Sequence, residues 1–220
     1  MEMLEGIEGR KSIRGFKPTP IPDDVMNKVL RAVANSPSYT NTQPWELAVV
    51  SGKKRDELSK IIFDLAKAKA PTKPDLPMPA GWPADMEARS REHGARRLNT
   101  LGIARDDEAG REELRLMNFE FYGAPCAIFL FADRSLGAWS IFDMGLCAQS
   151  ICLAAHGLGL GTVLQASVTN YADAIRKFLG IPESKQLVIC ISIGYPDEKA
   201  KLNQYRALKQ KPEEFTKWYK

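Results

Sequence analysis

Two short polar stretches hold the residue types with the greatest chemical capacity. From Pro37 to Pro44 the chain reads Pro-Ser-Tyr-Thr-Asn-Thr-Gln-Pro, so Ser38, Thr40, Asn41, Thr42 and Gln43 offer hydroxyls and carboxamides that both donate and accept hydrogen bonds. The flanking prolines restrict the backbone, and such a loop suits a flat heterocycle with polar edges. Taken alone, the loop reads more plainly as a helix-to-strand connection whose polar groups satisfy its own backbone. The second stretch, Arg10-Lys11-Ser12-Ile13-Arg14, sets three cations and a hydroxyl close together ahead of the helix that leads into the loop. Other chemistries are poorly supplied. Cys126, Cys147, Cys152 and Cys190 lie in apolar runs without a Cys-x-x-Cys pair and read as small core residues. The 2 histidines, His93 in a charged, exposed segment and His156 at the end of an apolar helix, give a zinc site or a Ser-His-Asp triad little to work with.

Composition narrows the class further. With 220 residues and 44% apolar content the chain can bury a sizeable core. The formal charge of +4 and pI near 8.8 are a mild excess, without the concentrated basic face of a nucleic-acid binder. The N-terminus carries acidic residues where a signal peptide is positive, and no run reaches the roughly 18 apolar residues of a membrane span. The expectation is a cytoplasmic protein with no nucleic-acid or membrane partner.

Periodicity places the elements that must position these residues. A short helix with Met3, Leu4 and Ile7 on one face ends at the basic segment. A second helix starts at Asp23 and Asp24 and carries Val25, Met26, Val29, Leu30 and Val33 at helical spacing to Asn35. Trp45 to Val50 reads as a strand and Lys53 to Ala70 as a helix buried through Leu58, Ile61, Ile62 and Leu65. From 71 to 115, crowded prolines and then charge mark a lid-like insertion, anchored by Trp82, Met86, Leu98, Leu101 and Ile103. A helix over Glu112 to Phe121, a strand over Cys126 to Ala132, and a helix over Ile141 to Gly157 follow. That helix is hydrophobic all round and so must be buried all round. Gly157 reads as its C-cap, because Gly157-Leu-Gly-Leu-Gly161 follows a helix and precedes a strand, the reverse of a dinucleotide fingerprint. Thr162 to Ser167 is a strand, Asn170 caps a helix to Leu179, and Leu187 to Ile193 is a strand. The basic tail then turns helical, with Phe215 and Trp218 as docking anchors. These elements predict an α+β fold: one domain over 1–220, with a small sheet flanked by helices and a long buried central helix.

In the order of its motifs, along nearly its whole length, the chain resembles the FMN-dependent nitroreductase family. The resemblance implies that Arg10, Lys11, Ser12 and Arg14 contact the flavin phosphate and ribityl chain, and that Ser38, Asn41 and Gln43 lie beside the flavin. It further implies that Asn118 sits near the ring edge, and that Gln165 and Ala166 stand where many members have a Glu-Gly whose backbone approaches the ring. Arg206 and Lys209 bring cations from the C-terminal end to the phosphate, with Lys for the usual Arg at 209 giving up bidentate geometry. The implied activity is ping-pong transfer of two electrons from NADH or NADPH, through FMN, to nitroaromatic or quinone-like acceptors. Enone reductases, dehalogenases and flavin-fragmenting enzymes share the scaffold, and a non-catalytic FMN-binding protein is the alternative of another class. The resemblance also implies a homodimer with active sites at the subunit interface. The sequence supports that through the apolar surface of the Ile141 to Gly157 helix. The 71–115 segment is expected to set acceptor choice without being needed to retain flavin.

Overall fold

The computed structural model describes residues 2–220. Its elements are α1 (Met3–Gly9), α2 (Asp23–Val33), β1 (Glu46–Ser51), α3 (Gly52–Lys67), α4 (Ala84–Leu101), α5 (Glu108–Leu116), β2 (Cys126–Asp133), α6 (Ala138–Gly157), β3 (Gly161–Gln165), α7 (Ala172–Leu179), β4 (Lys185–Gly194), α8 (Lys201–Gln204) and α9 (Pro212–Phe215). The strands form one sheet in the order β1-β2-β4-β3, and every neighbouring pair is antiparallel. The α+β layering expected from the sequence is therefore the fold adopted.

Strand β2 shows why the sheet is covered on both sides. Successive side chains of a strand point to opposite faces. Cys126, Ile128, Leu130 and Ala132 join Met26, Val29 and Val33 of α2 and Met144, Cys147 and Ile151 of α6 in one core. Ala127, Phe129 and Phe131 join Leu58 and Ile62 of α3 and Ile175 of α7 in the other. A strand buried on both faces reads as a continuous apolar run. All four cysteines are buried and free, as expected.

Helix α6 departs from the reading of uniform burial. Met144, Cys147, Ile151 and Ala155 pack inward, whereas Trp139 is 65% and Phe142 60% exposed. By length and composition alone the helix could cross a membrane, but its inward face is committed to the sheet and α2. Asp143, buried in the same helix, accepts hydrogen bonds from the Tyr39 N–H at 3.1 and 3.2 Å. Tyr39 also stacks on Trp139 at a centroid distance of 5.6 Å, so the 37–44 loop is fastened to the start of α6.

Other corrections are local. Ile61 is exposed, and Ala66 completes the buried stripe of α3 instead. The helix expected from Glu112 begins at Glu108 and stops at Leu116. Tyr171, preceded by a 3-10 turn, starts α7 in place of Asn170. After α6 the positive φ falls on Gly159, at 76°, and not on Gly157. Phe215 and Trp218 are 68% and 82% exposed on the single chain, next to a helix of one turn.

Segment 71–115 is more ordered than its composition suggests. Its charges fall at helical spacing and pair along α4: Arg89 with Asp85 at 2.9 Å, Arg91 with Glu87 at 2.5 Å, and Arg96 with Glu92 at 3.7 Å. Such pairs support a helix without a core, and every residue of α4 is at least partly exposed. Leu98, Leu101 and Ile103 lie against the α3 side of the core as expected, whereas Trp82 and Met86 are exposed.

Candidate cofactor site

The basic segment is held in place by backbone contacts at the edge of the sheet. The Ile13 N–H donates to the Thr162 carbonyl of β3, and the Lys17 N–H to the Tyr195 carbonyl, each at 2.9 Å. This approach requires glycine at 161, where a Cβ would come within 2.6 Å of the Ile13 side chain. Asn203, buried in α8, completes the clamp. Its Oδ1 accepts from the Arg14 N–H at 2.7 Å, and its Nδ2 donates to the Gly15 and Asp197 carbonyls at 2.7 and 2.8 Å. Lys11 Nζ donates to the Asn203 carbonyl, and the Arg206 guanidinium to that of Glu8, so both chain ends meet at one place.

Arg10, Lys11, Ser12, Arg14, Arg206 and Lys209 line a single cavity of about 330 Å³ there. Arg14 also lines a larger cavity of about 1050 Å³ whose walls include Asn118, Gln165 and Ala166. Nine of the residues singled out in the sequence thus surround two cavities that share Arg14. Gln165 is locked: its Nε2 donates to the Asn118 carbonyl at 2.8 Å, and its Oε1 accepts from Ser192 Oγ. The Asn118 carboxamide donates to the Arg115 carbonyl at 3.1 Å.

Ser38, Asn41 and Gln43 line neither cavity of this chain. Their loop bonds to itself, the Gln43 N–H to Ser38 Oγ at 2.9 Å and Gln43 Nε2 to the Asn41 carbonyl at 3.2 Å, while Asn41 and Gln43 stay exposed. Positive φ at Thr40, Asn41 and Gln43 gives the loop a fixed shape under some strain.

Electrostatics at the junction call for an anion. Burial draws the Arg14 pKa below its ordinary value; Tyr122 opposes that shift and Arg97 adds to it. The guanidinium keeps its proton regardless, so a half-buried cation lies near a second one. Arg97 Nε is itself buried without a hydrogen-bond partner. Arg97 and His93 come from α4, in the segment expected only to set acceptor choice, yet His93 lines the smaller cavity and Arg97 the larger. His93, expected in an exposed stretch, is half-buried with its Nδ1 2.8 Å from the Tyr205 hydroxyl. Sequence reasoning missed Arg97, Tyr122, Asn203 and Tyr205 because no local motif marks them, Arg97 being one cation of a charged run. Among the described residues no cluster of acidic, His or Cys side chains could hold a metal ion.

The small antiparallel sheet between helical layers, with a cation-lined cavity where the chain ends meet, defines a known class. The sequence model of the nitroreductase family matches residues 7–195, and the chain belongs to that family. Among individual proteins, it is 36% identical over 201 residues to the nitroreductase NfnB of Mycolicibacterium smegmatis, covering 91% of this chain and 85% of that one. The 4-nitrobenzoate reductase of Pseudomonas putida is 30% identical over 210 residues, covering 96% and 92%. The crystal structure of the FMN-dependent nitroreductase NfnB from Mycobacterium smegmatis in complex with NADPH superposes with a TM-score of 0.94 at 33% identity, covering 99% of this chain and 97% of that one.

Proposed function

We propose that this protein is an FMN-dependent NAD(P)H oxidoreductase that reduces nitroaromatic or quinone-like acceptors by ping-pong transfer of two electrons. The observation that carries the reading is the pair of cavities meeting at Arg14, a small cationic one and a large mixed one. This shape suits a molecule with a phosphate at one end and a flat ring at the other. The unpartnered Arg97 Nε supports the fit, because buried donors are normally satisfied and this one lies on the wall of the larger cavity.

Arg10, Lys11, Ser12, Arg14, Arg206 and Lys209 would hold the phosphate and ribityl chain, and Asn118, Gln165 and Ala166 would stand beside the ring. When bound, FMN supplies the redox chemistry, taking two electrons from NADH or NADPH and passing them to the acceptor. The chain's own contribution is orientation. Gln165 is fixed by bonds at both ends of its carboxamide, and the cations would offset the charge of the phosphate. Arg97, Arg111, Arg115 and Lys69 outnumber Glu108 and Glu112 around the larger cavity, which favours small aromatic acceptors or donors that carry negative charge.

The functional unit in this reading is a cytoplasmic homodimer in which the second chain completes the site. Met3 and Leu4 of α1, Tyr39, Trp139, Phe142 and Trp218 are all more than half exposed, more apolar surface than an isolated chain usually presents. Ser38, Asn41 and Gln43, which reach neither cavity of their own chain, would serve the flavin of the other. Four unpaired cysteines accord with a reducing compartment. Segment 71–115 acts here as a cover over the site.

Purified protein should be yellow, release FMN on denaturation and oxidise NADPH with 4-nitrobenzoate, giving parallel double-reciprocal plots. A preparation with no affinity for FMN would refute the reading. Light scattering should give twice the 24.5 kDa chain mass, and the melting temperature should rise with protein concentration. A stable, FMN-loaded monomer would remove the shared site.

A further inference from the structure

His93 belongs to α4, yet it faces groups from the opposite end of the chain. Its Nδ1 is 2.8 Å from the Tyr205 hydroxyl, the two rings are tilted at 57° with centroids 5.3 Å apart, and both residues line the cationic cavity. Leu98 and Leu101 pack the C-terminal end of α4 against the core, whereas the part of the helix that carries His93 buries no residue fully and is lined by its own charge pairs. With Nδ1 accepting from the Tyr205 hydroxyl, the imidazole proton resides on Nε2, which has no protein partner among the described residues.

We infer that His93 is a ligand of the phosphate monoester in this cavity, donating from Nε2 to a phosphate oxygen while Tyr205 holds Nδ1, and that this contact fastens α4 over the site. The inference rests on the reading of the cavity as the place of the FMN phosphate. It gives the 71–115 segment a share in cofactor binding, beyond acceptor choice.

The charges around His93 set a pH signature. Sharing its surroundings are Arg10, Lys11 and Arg14 from the basic segment, Arg206 and Lys209 from the tail, and Arg97 from one turn on along α4, with Glu8 the one carboxylate on the cavity wall among the described residues and the Tyr205 hydroxyl at Nδ1. Burial lowers the His93 pKa below 6.5, and Arg97, Arg14 and Lys209 lower it further. A phosphate dianion in contact with the ring offsets part of that field, so its arrival raises the His93 pKa and draws a proton from solvent onto the ring. Tyr205 then accepts from Nδ1, its hydroxyl having rotated.

The chain has 2 histidines, so the imidazole signals can be assigned in a proton NMR titration with a single His93→Gln variant. In protein stripped of FMN, His93 should titrate below ordinary imidazole. Restoring FMN should move its titration upward, millimolar inorganic phosphate should move it the same way, and riboflavin should leave it in place. His93→Gln should weaken FMN binding about tenfold at pH 6, the scale of a hydrogen bond to a charged group, and leave riboflavin binding unchanged. A wild-type protein that binds riboflavin as tightly as FMN would overturn the phosphate reading and this inference with it. Strong preference for FMN together with a spectrum in which neither of the 2 histidine signals moves would overturn the inference alone, whether or not the variant folds. A shift seen only with NADPH, and not with NADH, on FMN-loaded protein would assign His93 to the 2′-phosphate of the donor and equally overturn it.

Discussion

Replacing Asp75 by alanine should destabilise the protein by about 3–5 kcal/mol, the cost of leaving a buried charge without its partner. Asp75 lies among the prolines that open the 71–115 segment, and its side chain is 5% exposed against 4% for Arg176 of α7. The carboxylate accepts from the Arg176 guanidinium, from Arg134 at 2.5 Å and from the Leu187 N–H of β4 at 2.6 Å. One side chain thus ties the segment to a helix and to a central strand. Alanine would strand Arg176, whose remaining carboxylate partner, Asp173, is largely exposed, and would leave the Leu187 N–H unpaired. Urea unfolding should show a lower midpoint with an unchanged slope. A loss under about 1 kcal/mol, the value of an exposed pair, would show that the clasp is open in solution.

The same residue carries a pH dependence of definite sign. Burial raises the Asp75 pKa, but the Leu187 N–H and the two guanidinium groups outweigh it, and the net shift is downward. A carboxyl whose folded pKa lies below its unfolded value, about 3.9, contributes fully above that value and loses its contribution as pH falls through the folded pKa. Wild type should therefore lose stability below about pH 4 more steeply than Asp75→Ala. This anchor also bears on how the cover can be tested. Excision of the whole segment removes Asp75 and confounds folding with cofactor retention, whereas excision within α4 spares it.

How much of this was legible in the sequence follows from where each signal is stored. Strands β1 to β4 and the helices around them announce themselves because their apolar residues recur at the period of the element, and β2, buried on both faces, can only read as an unbroken apolar run. Helix α4 was hidden because its exposed face is marked by charge pairs four residues apart, which composition reports merely as a charged stretch. Asp75, Asp143 and Asn203 were missed for a different reason. A polar residue is buried only when distant groups satisfy it, as β4 and α7 do for Asp75, and no local pattern records that. The cations at 10–14 and 206–209 could be joined in advance through the order of family motifs, but their geometry depends on Gly161 and Asn203 bringing the two ends together. The Ser38 loop marks the limit of one chain, since Ser38, Asn41 and Gln43 line neither of the cavities beside which the resemblance sets them.

Arg14→Ala should weaken FMN binding by about 1.5–3 kcal/mol, the range for hydrogen bonds to a charged group, or roughly 10- to 150-fold in Kd. Arg14 is singled out from the other cations because it lines both cavities, while Lys11 and Arg206 spend donors on backbone carbonyls. Its backbone is pinned by Asn203, so truncation removes the guanidinium without releasing the segment. Quenching of flavin fluorescence on titration with protein gives the affinity directly. Riboflavin should be held almost equally by wild type and variant if the lost contact is to phosphate; a matching loss for riboflavin would move Arg14's role to the ribityl chain or ring. The variant has a second consequence that contacts alone would not produce. Arg14 is among the charges that lower the His93 pKa, so its removal should let that pKa rise in the stripped protein, and the further rise on adding FMN should shrink. Unchanged FMN affinity together with an unchanged His93 titration would show that the guanidinium points at neither the phosphate nor the imidazole.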